Sequence, residues 1–181
     1  LMNMSKLMHY KDVISHADMI SEKYKLSQED EILRILQKAK AYFQMQNYDE
    51  TINFLNANNI PENNYNIEKM FIIAGAYFNK KDYKNSNKYY LELLDKYSDN
   101  KYSGDIKMAV ATNYKLLGDM DNFEKFKINI VNSASDENSI NESMFELAAY
   151  YYSVQKFDSS VYYLNRIINI SNDRIILEKS Y

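Results

Sequence analysis

Ala41-Tyr42-Phe43 followed by Asn47-Tyr48-Asp49 is repeated 35 residues later as Ala76-Tyr77-Phe78 followed by Asp82-Tyr83-Lys84. Whether this string recurs further decides the fold, because a fixed period of this length marks a repeat architecture. Two weaker copies follow, Asn113-Tyr114-Lys115 with Gly118-Asp119-Met120, and Tyr150-Tyr151-Tyr152 with Gln155-Lys156-Phe157. Alignment places Tyr42, Tyr77, Tyr114 and Tyr151 in register at spacings of 35, 37 and 37 residues. Three positions before the tyrosine every copy has alanine: Ala39, Ala74, Ala111 and Ala148. Six positions after it stand Tyr48, Tyr83, Met120 and Phe157, and nine after it Thr51, Ser86, Phe123 and Ser160.

Each copy reads as two helices joined by a tight turn. Ile32, Ile35, Leu36, Ala39, Tyr42 and Phe43 trace one face of a first helix, and Tyr48, Ile52 and Leu55 the face of a second. Alanine lets the second helix approach to about 8–10 Å. The tyrosine one turn later fills the crevice with its ring and keeps its hydroxyl at a polar edge. One such pair cannot bury its faces alone, so neighbours must stack, and the expected fold is an all-α solenoid of antiparallel helix pairs. The expected repeats cover about 32–61, 67–100, 104–131 and 141–170 of one solenoid over 1–181. A half-repeat at 12–25 supplies the second helix of an earlier pair, and 173–181 the start of a further first helix. Ala17 lies 34 residues before Thr51, in the matching slot. Ser27-Gln28-Glu29-Asp30 and Ser139–Glu142 read as helix N-caps. The polar connections at Asp95–Asp105 and Asn132–Glu142 account for the 37-residue spacings.

Composition agrees and removes other classes. One Pro and three Gly in 181 residues leave almost nothing to punctuate a sheet. No apolar run approaches the ~18 residues of a membrane helix. A net charge of −3, with only Arg34, Arg166 and Arg174 as arginines, argues against phosphate neutralisation and hence nucleic acid. Cysteine is absent, so disulfides, thiolate metal sites and thiol nucleophiles are excluded. Asn occurs 22 times, a bias together with Lys, Ile and Tyr that reads as AT-rich codon usage. The chain opens on Leu1 without a visible signal peptide and reads as an excised fragment. His9 and His16 stand seven apart, whereas a helical metal pair needs i,i+4, so a surface or packing role is expected. Asp119-Met120-Asp121-Asn122 is similar to a calcium loop but lacks the remaining ligands, and turn chemistry is expected there. Glu29 and Asp30 suit a helix N-terminus. No phosphate loop, nucleophile elbow or general-base constellation is present. Neither enzymatic activity nor a cofactor is therefore expected within these residues.

These repeats resemble the tetratricopeptide repeat (TPR) family over roughly residues 32–170. The family's Trp slot holds Ile35, Met70, Lys107 and Met144 here, and its Leu-Gly pair is replaced by Lys38-Ala39, Ile73-Ala74, Val110-Ala111 and Leu147-Ala148. The third copy departs most, with Phe123 at the small slot and Lys127 at an apolar one. The resemblance implies a right-handed superhelix whose first helices line a concave groove. Carried over position by position, the groove holds Leu36, Lys40, Phe43 and Gln44 in the first full repeat. It continues with Glu68, Phe71, Gly75, Phe78 and Asn79 in the second, and with Asp105, Met108, Thr112, Lys115 and Leu116 in the third. The fourth adds Glu142, Phe145, Ala149, Tyr152 and Ser153. Leu36, Gly75 and Asp105 at key clamp positions argue against capture of a terminal carboxylate.

The resemblance implies a non-catalytic scaffold that takes a peptide or helix of another protein into this groove. An aromatic on a first helix can instead pack against the adjacent repeat; Phe78 and Tyr152, each directly after the packing tyrosine, are the better candidates for contact, and Phe78→Glu is expected to abolish partner capture while helicity stays, loss of folding marking Phe78 as core. Leu93–Ser103 is similar to the repeat junction of bacterial cell-envelope TPR proteins, with Ser98 in place of Pro and Gly104 in place of Ala. That similarity implies a periplasmic or membrane-tethered setting, the alternative being cytoplasmic. A second reading is a sensor or regulatory module of a larger enzyme or transcription regulator. RNA binding, one base per repeat, is disfavoured by the acidity. Exposed terminal half-repeats make self-association possible.

Overall fold

The structure, a computed structural model, describes residues 4–97, 102–134 and 136–170. Among these residues there are nine α-helices and no strand, as the repeat pattern requires. The chain forms two compact units, Leu1–Ser98 and Asp99–Tyr181. The first contains α1 (Met4–Lys23), α2 (Gln28–Gln44), α3 (Tyr48–Ala57), α4 (Asn64–Asn79) and α5 (Tyr83–Lys96). The second contains α6 (Ser103–Leu117), α7 (Met120–Ser133), α8 (Glu137–Ser153) and α9 (Phe157–Ile170). Within the first unit each helix packs on the next, and α2 also packs on α4. Within the second, α7 packs on both α6 and α8, and α8 on α9. The segment expected to begin a further helix at 173–181 lies outside the described residues, as do 98–101 of the junction at Leu93–Ser103.

One turn, used four times, explains the register. Asn47, Asp82, Asp119 and Lys156 donate their backbone N–H to the carbonyls of Tyr42, Tyr77, Tyr114 and Tyr151 at 2.8–3.0 Å. The preceding residues, Gln46, Lys81, Gly118 and Gln155, donate to the carbonyls of Phe43, Phe78, Lys115 and Tyr152. Those same residues all lie in the left-handed region, with φ of 63°, 63°, 76° and 61°. This paired arrangement closes a helix C-terminus by satisfying its orphan carbonyls. A left-handed residue strains any side chain but glycine, yet three of the four copies are not glycine, so the turn left no Gly signal in the sequence.

Packing follows from the columns. Ala39, Ala74, Ala111 and Ala148 are all buried, as are Thr51, Ser86, Phe123 and Ser160. Small residues at both positions, in every copy but the third with its Phe123, let paired helices close up. Ser160 Oγ donates to the Ala148 carbonyl across the α8–α9 contact at 2.9 Å. Twelve residues after each register tyrosine stands another aromatic, a column the sequence reading passed over. The pairs Tyr42–Phe54, Tyr77–Tyr89, Tyr114–Phe126 and Tyr151–Tyr163 have ring centroids 5.6–5.8 Å apart. Each joins a first helix to its second, adding about 0.5–1.5 kcal/mol beyond burial.

The helices begin upstream of their expected ranges because a polar first turn carries no apolar period. Ser27 caps α2, accepting from the Asp30 N–H at 3.1 Å. Asn63 caps α4, accepting from the Tyr65 N–H at 2.9 Å. The cap expected at Ser139 is displaced: Asp136 is the N-cap of α8, and its carboxylate accepts from the Ser139 N–H at 2.8 Å. Ser139 is thus a donor inside the first turn rather than the cap.

Candidate protein-interaction surface

The first helices of the two units carry the candidate contacts, and their side chains differ sharply in availability. In the first unit, Leu36 is 1% exposed and sits among Ile32, Ile35, Leu55 and Ile73. It is core rather than groove, because the apolar stripe of α2 is broad enough to place it between α3 and α4. Lys40 on α2 is ion-paired with Glu68 on α4 at 2.5 Å. Phe43 lies against Gly75, where a Cβ would stand 3.4 Å from the ring, and meets Tyr48 edge-on at 5.5 Å. Phe71 meets the buried Tyr90 edge-on at 5.8 Å and Phe78 meets Tyr83 at 5.7 Å. Gln44 and Asn79 are exposed at the ends of α2 and α4, and the Asn79 amide donates to the Gly75 carbonyl at 2.8 Å.

In the second unit, Lys115 on α6 pairs with Glu146 on α8 at 2.9 Å, joining successive first helices as Lys40 and Glu68 do but at another register. The same carboxylate takes Lys127 of α7 at 2.6 Å through its other oxygen. Lys127 is 0% exposed and its ammonium also lies 3.4 Å from the Met108 sulfur. Ser143 Oγ reaches that sulfur at 3.5 Å, so Met108 is half-buried in packing. Burial alone pushes the Glu146 carboxyl up, but hydrogen bonds from Lys127 and Lys115 outweigh it and hold it below the usual carboxylate range. Phe145 flanks the core of Met144, Leu147 and Tyr151. Tyr152 stands apart at 66% exposed, edge-on at 5.5 Å to Phe157, itself 53% exposed.

The sequence reading marked Lys127 as a misfit in an apolar slot but missed its partner. Glu146 faces it from the next helix, and no spacing within a repeat reveals a pairing between repeats. A comparable pair ties α1 to α2, where the buried Lys38 bonds Asp18 and its ammonium lies 5.2 Å from the Phe54 ring centre. Asp119 is the N-cap of α7, accepting from the Asn122 N–H at 3.2 Å and from its amide at 2.8 Å. His9 and His16 line an open groove between α1 and α2. Among the described residues no helix is long and apolar enough to cross a membrane.

This arrangement is suited to binding an apolar segment. Lys40 and Lys115 are ion-paired with Glu68 and Glu146, each on the next first helix. Aromatic faces and exposed amides remain to be covered.

No protein-family model matches the chain, and no curated protein matches it in sequence. Solved structures do. The apo form of RapI superposes with a TM-score of 0.70 at 16% identity, over 99% of this chain and 58% of that one. A Rap protein complexed with competence and sporulation factor superposes with a TM-score of 0.60, also at 16% identity and the same coverage. This chain thus spans 58% of the length of either neighbour. At this identity the likeness is one of fold, and the fold is a helical repeat of tetratricopeptide type.

Proposed function

We propose that this chain is a non-catalytic protein-interaction module that holds a peptide or helical segment of a partner protein against its first helices. The observation that carries the reading is the Tyr152–Phe157 pair. Both aromatics are more than half exposed on the last helix pair of the described residues, so the pair is tested in the full-length protein. Exposed tyrosine and phenylalanine are enriched at the anchors of protein interfaces. The structural likeness to a Rap protein complexed with competence and sporulation factor supports a protein or peptide partner. It also favours the second reading of the sequence, a regulatory module of a larger protein. The cell-envelope setting rests on the string at Leu93–Ser103 alone, and fractionation of native cells with an antibody to this chain tests it.

The direct test is partner capture with the full-length protein carrying a photo-crosslinking residue at position 152 or 78. A crosslink from position 152 to a segment of a partner protein is the expected result, with position 78 probed separately. Tyr152→Ala should then weaken that partner at least about 10-fold, the effect of losing an aromatic anchor. Its Tm should stay within about 2 °C of wild type, because exposed positions contribute little to stability. Phe78→Glu is the less clean variant, since Phe78 also packs on Tyr83. No crosslink at either position, or unchanged affinity of Tyr152→Ala, refutes the reading.

A further inference from the structure

Each unit contains a joint between a second helix and the next first helix, α3 on α4 in the first and α7 on α8 in the second. The register makes the two joints comparable side chain by side chain, at shifts of 72 residues from α3 to α7 (Tyr42 to Tyr114) and 74 from α4 to α8 (Tyr77 to Tyr151). Ile52 and Leu55 of α3 then correspond to Glu124 and Lys127 of α7, and Ile67 and Ile72 of α4 to Asn141 and Glu146 of α8. In the first joint Ile52, Leu55 and Ile72 share one apolar cluster, and Ile67 is buried. In the second, all four positions are polar.

Lys127 and Asn141 are buried all the same. Lys127 bonds Glu146 at 2.6 Å, and Glu124 accepts from the Tyr151 hydroxyl at 2.6 Å. Asn141 has no such partner: in the described residues neither its amide nitrogen nor its oxygen is hydrogen-bonded. Its amide has lost water and gained nothing in return. An apolar side chain forfeits its burial when a joint opens. A buried charge or amide recovers its hydration instead, so a buried ion pair resists separation no better than the apolar pair it replaces. The α7–α8 joint therefore rests on a reduced apolar set, Val131 of α7 with Met144, Leu147 and Tyr151 of α8. The α8–α9 contact keeps the repeat's own columns, with Tyr151 stacked on Tyr163 and Ser160 bonded to the Ala148 carbonyl.

We propose that the α7–α8 joint is a hinge built into the second unit: the α8–α9 hairpin swings off α7 as one body while both hairpins stay folded. The position of α8, and of every side chain it carries, is thereby adjustable without unfolding. The replacement of four apolar joint positions by polar ones, one of them a buried amide without a partner, carries this inference.

The chain has no cysteine, so Val131→Cys and Ser160→Cys each place one reporter thiol in these residues, the first buried in the joint and the second inside the α8–α9 contact. Both are made in the full-length protein, and modification by a soluble thiol reagent is followed by peptide mass mapping at urea concentrations below the unfolding transition. Each rate is divided by that of the same thiol in fully unfolded protein. Val131→Cys should be modified at least about 10-fold faster than Ser160→Cys, at a rate that changes little with urea, because a local opening exposes little surface. Adding Asn141→Ile, which restores the residue of positions 32 and 67, should slow modification at 131 at least about 5-fold and leave 160 unchanged. Equal rates that climb together with urea mean that only global unfolding exposes either thiol, and overturn the proposal. So does faster modification at 160 than at 131, which marks fraying of α9, or an Asn141→Ile variant that folds by circular dichroism and leaves the rate at 131 unaltered. Should Asn141→Ile fail to fold, the two rates and their urea dependence decide by themselves.

Discussion

Removing Glu146 is expected to cost far more stability than removing the lysine it partners. Lys127 is wholly buried between α7, α6 and α8, and its ammonium has a carboxylate at 2.6 Å and a sulfur at 3.4 Å. Glu146→Ala takes away the counter-charge and strands the ammonium. Breaking a buried pair in this way costs about 3–5 kcal/mol when both partners are dry. The Glu146 side chain keeps 27% of its exposure, so water can reach the vacancy and the expected loss is about 3 kcal/mol, at the low end of that range. In a chain of this size that is a Tm decrease of roughly 6–12 °C. Lys127→Met removes charge and ammonium together and fits an apolar slot occupied by Leu55 and Leu164 in the first and fourth repeats. It should lie within about 1 kcal/mol of wild type in either direction. The double variant should also stay within about 1 kcal/mol of wild type, giving a coupling of about 3 kcal/mol, and at least about 1 kcal/mol. Lys115→Ala, removing the half-exposed cation, should cost under about 1 kcal/mol. Urea denaturation followed by circular dichroism measures all four. If Lys127→Met is as damaging as Glu146→Ala, or the two effects simply add, the desolvation argument fails and Lys127 contributes through packing alone.

Two further outcomes follow from local geometry. Replacing the left-handed residues by glycine, in Gln46→Gly, Lys81→Gly and Gln155→Gly, should each stabilise by about 0.5–1 kcal/mol, and Gly118→Ala should destabilise by about 1 kcal/mol; opposite signs in thermal melts would refute the shared turn. Asp82 is held below its ordinary pKa chiefly by the Asn85 amide and then the Asn85 N–H, Glu31 by hydrogen bonds from Arg34, and Glu146 by its two lysines despite burial. A depressed carboxylate contributes stability that is present above its unfolded pKa and is lost as pH falls through its folded one. Tm should hold between pH 7 and 5 and fall below the usual carboxylate range, near pH 4, with the Glu146→Ala variant losing less on acidification than wild type; a flat profile down to pH 3 refutes the assignment.

Much of the fold was legible because its constraints are local. A helical period over Ile32–Phe43, an alanine three residues before each tyrosine and a small residue nine after it in three copies of four all report contacts within one hairpin, and a period of 35–37 residues repeats them. The second aromatic column at Phe54, Tyr89, Phe126 and Tyr163 was equally present in that register and was overlooked only because the alignment stopped short of it. Helix starts were misplaced at Asp136 because a polar first turn has no period to read. Among the candidate contacts, sequence distinguished positions but not availability. Leu36 and Tyr152 were both expected in the groove, yet one is in the core and the other stands in solvent.

From its residues in order, this protein is committed to antiparallel helical hairpins, since side-chain period, small-residue spacing and turn all act within some forty residues of chain. Which slots remain open, which lysine is buried against which glutamate, and that α1 presents an uncovered groove depend on how successive hairpins stack. Those outcomes belong to contacts between repeats, where the partner of a side chain lies one helix pair away and no periodicity names it.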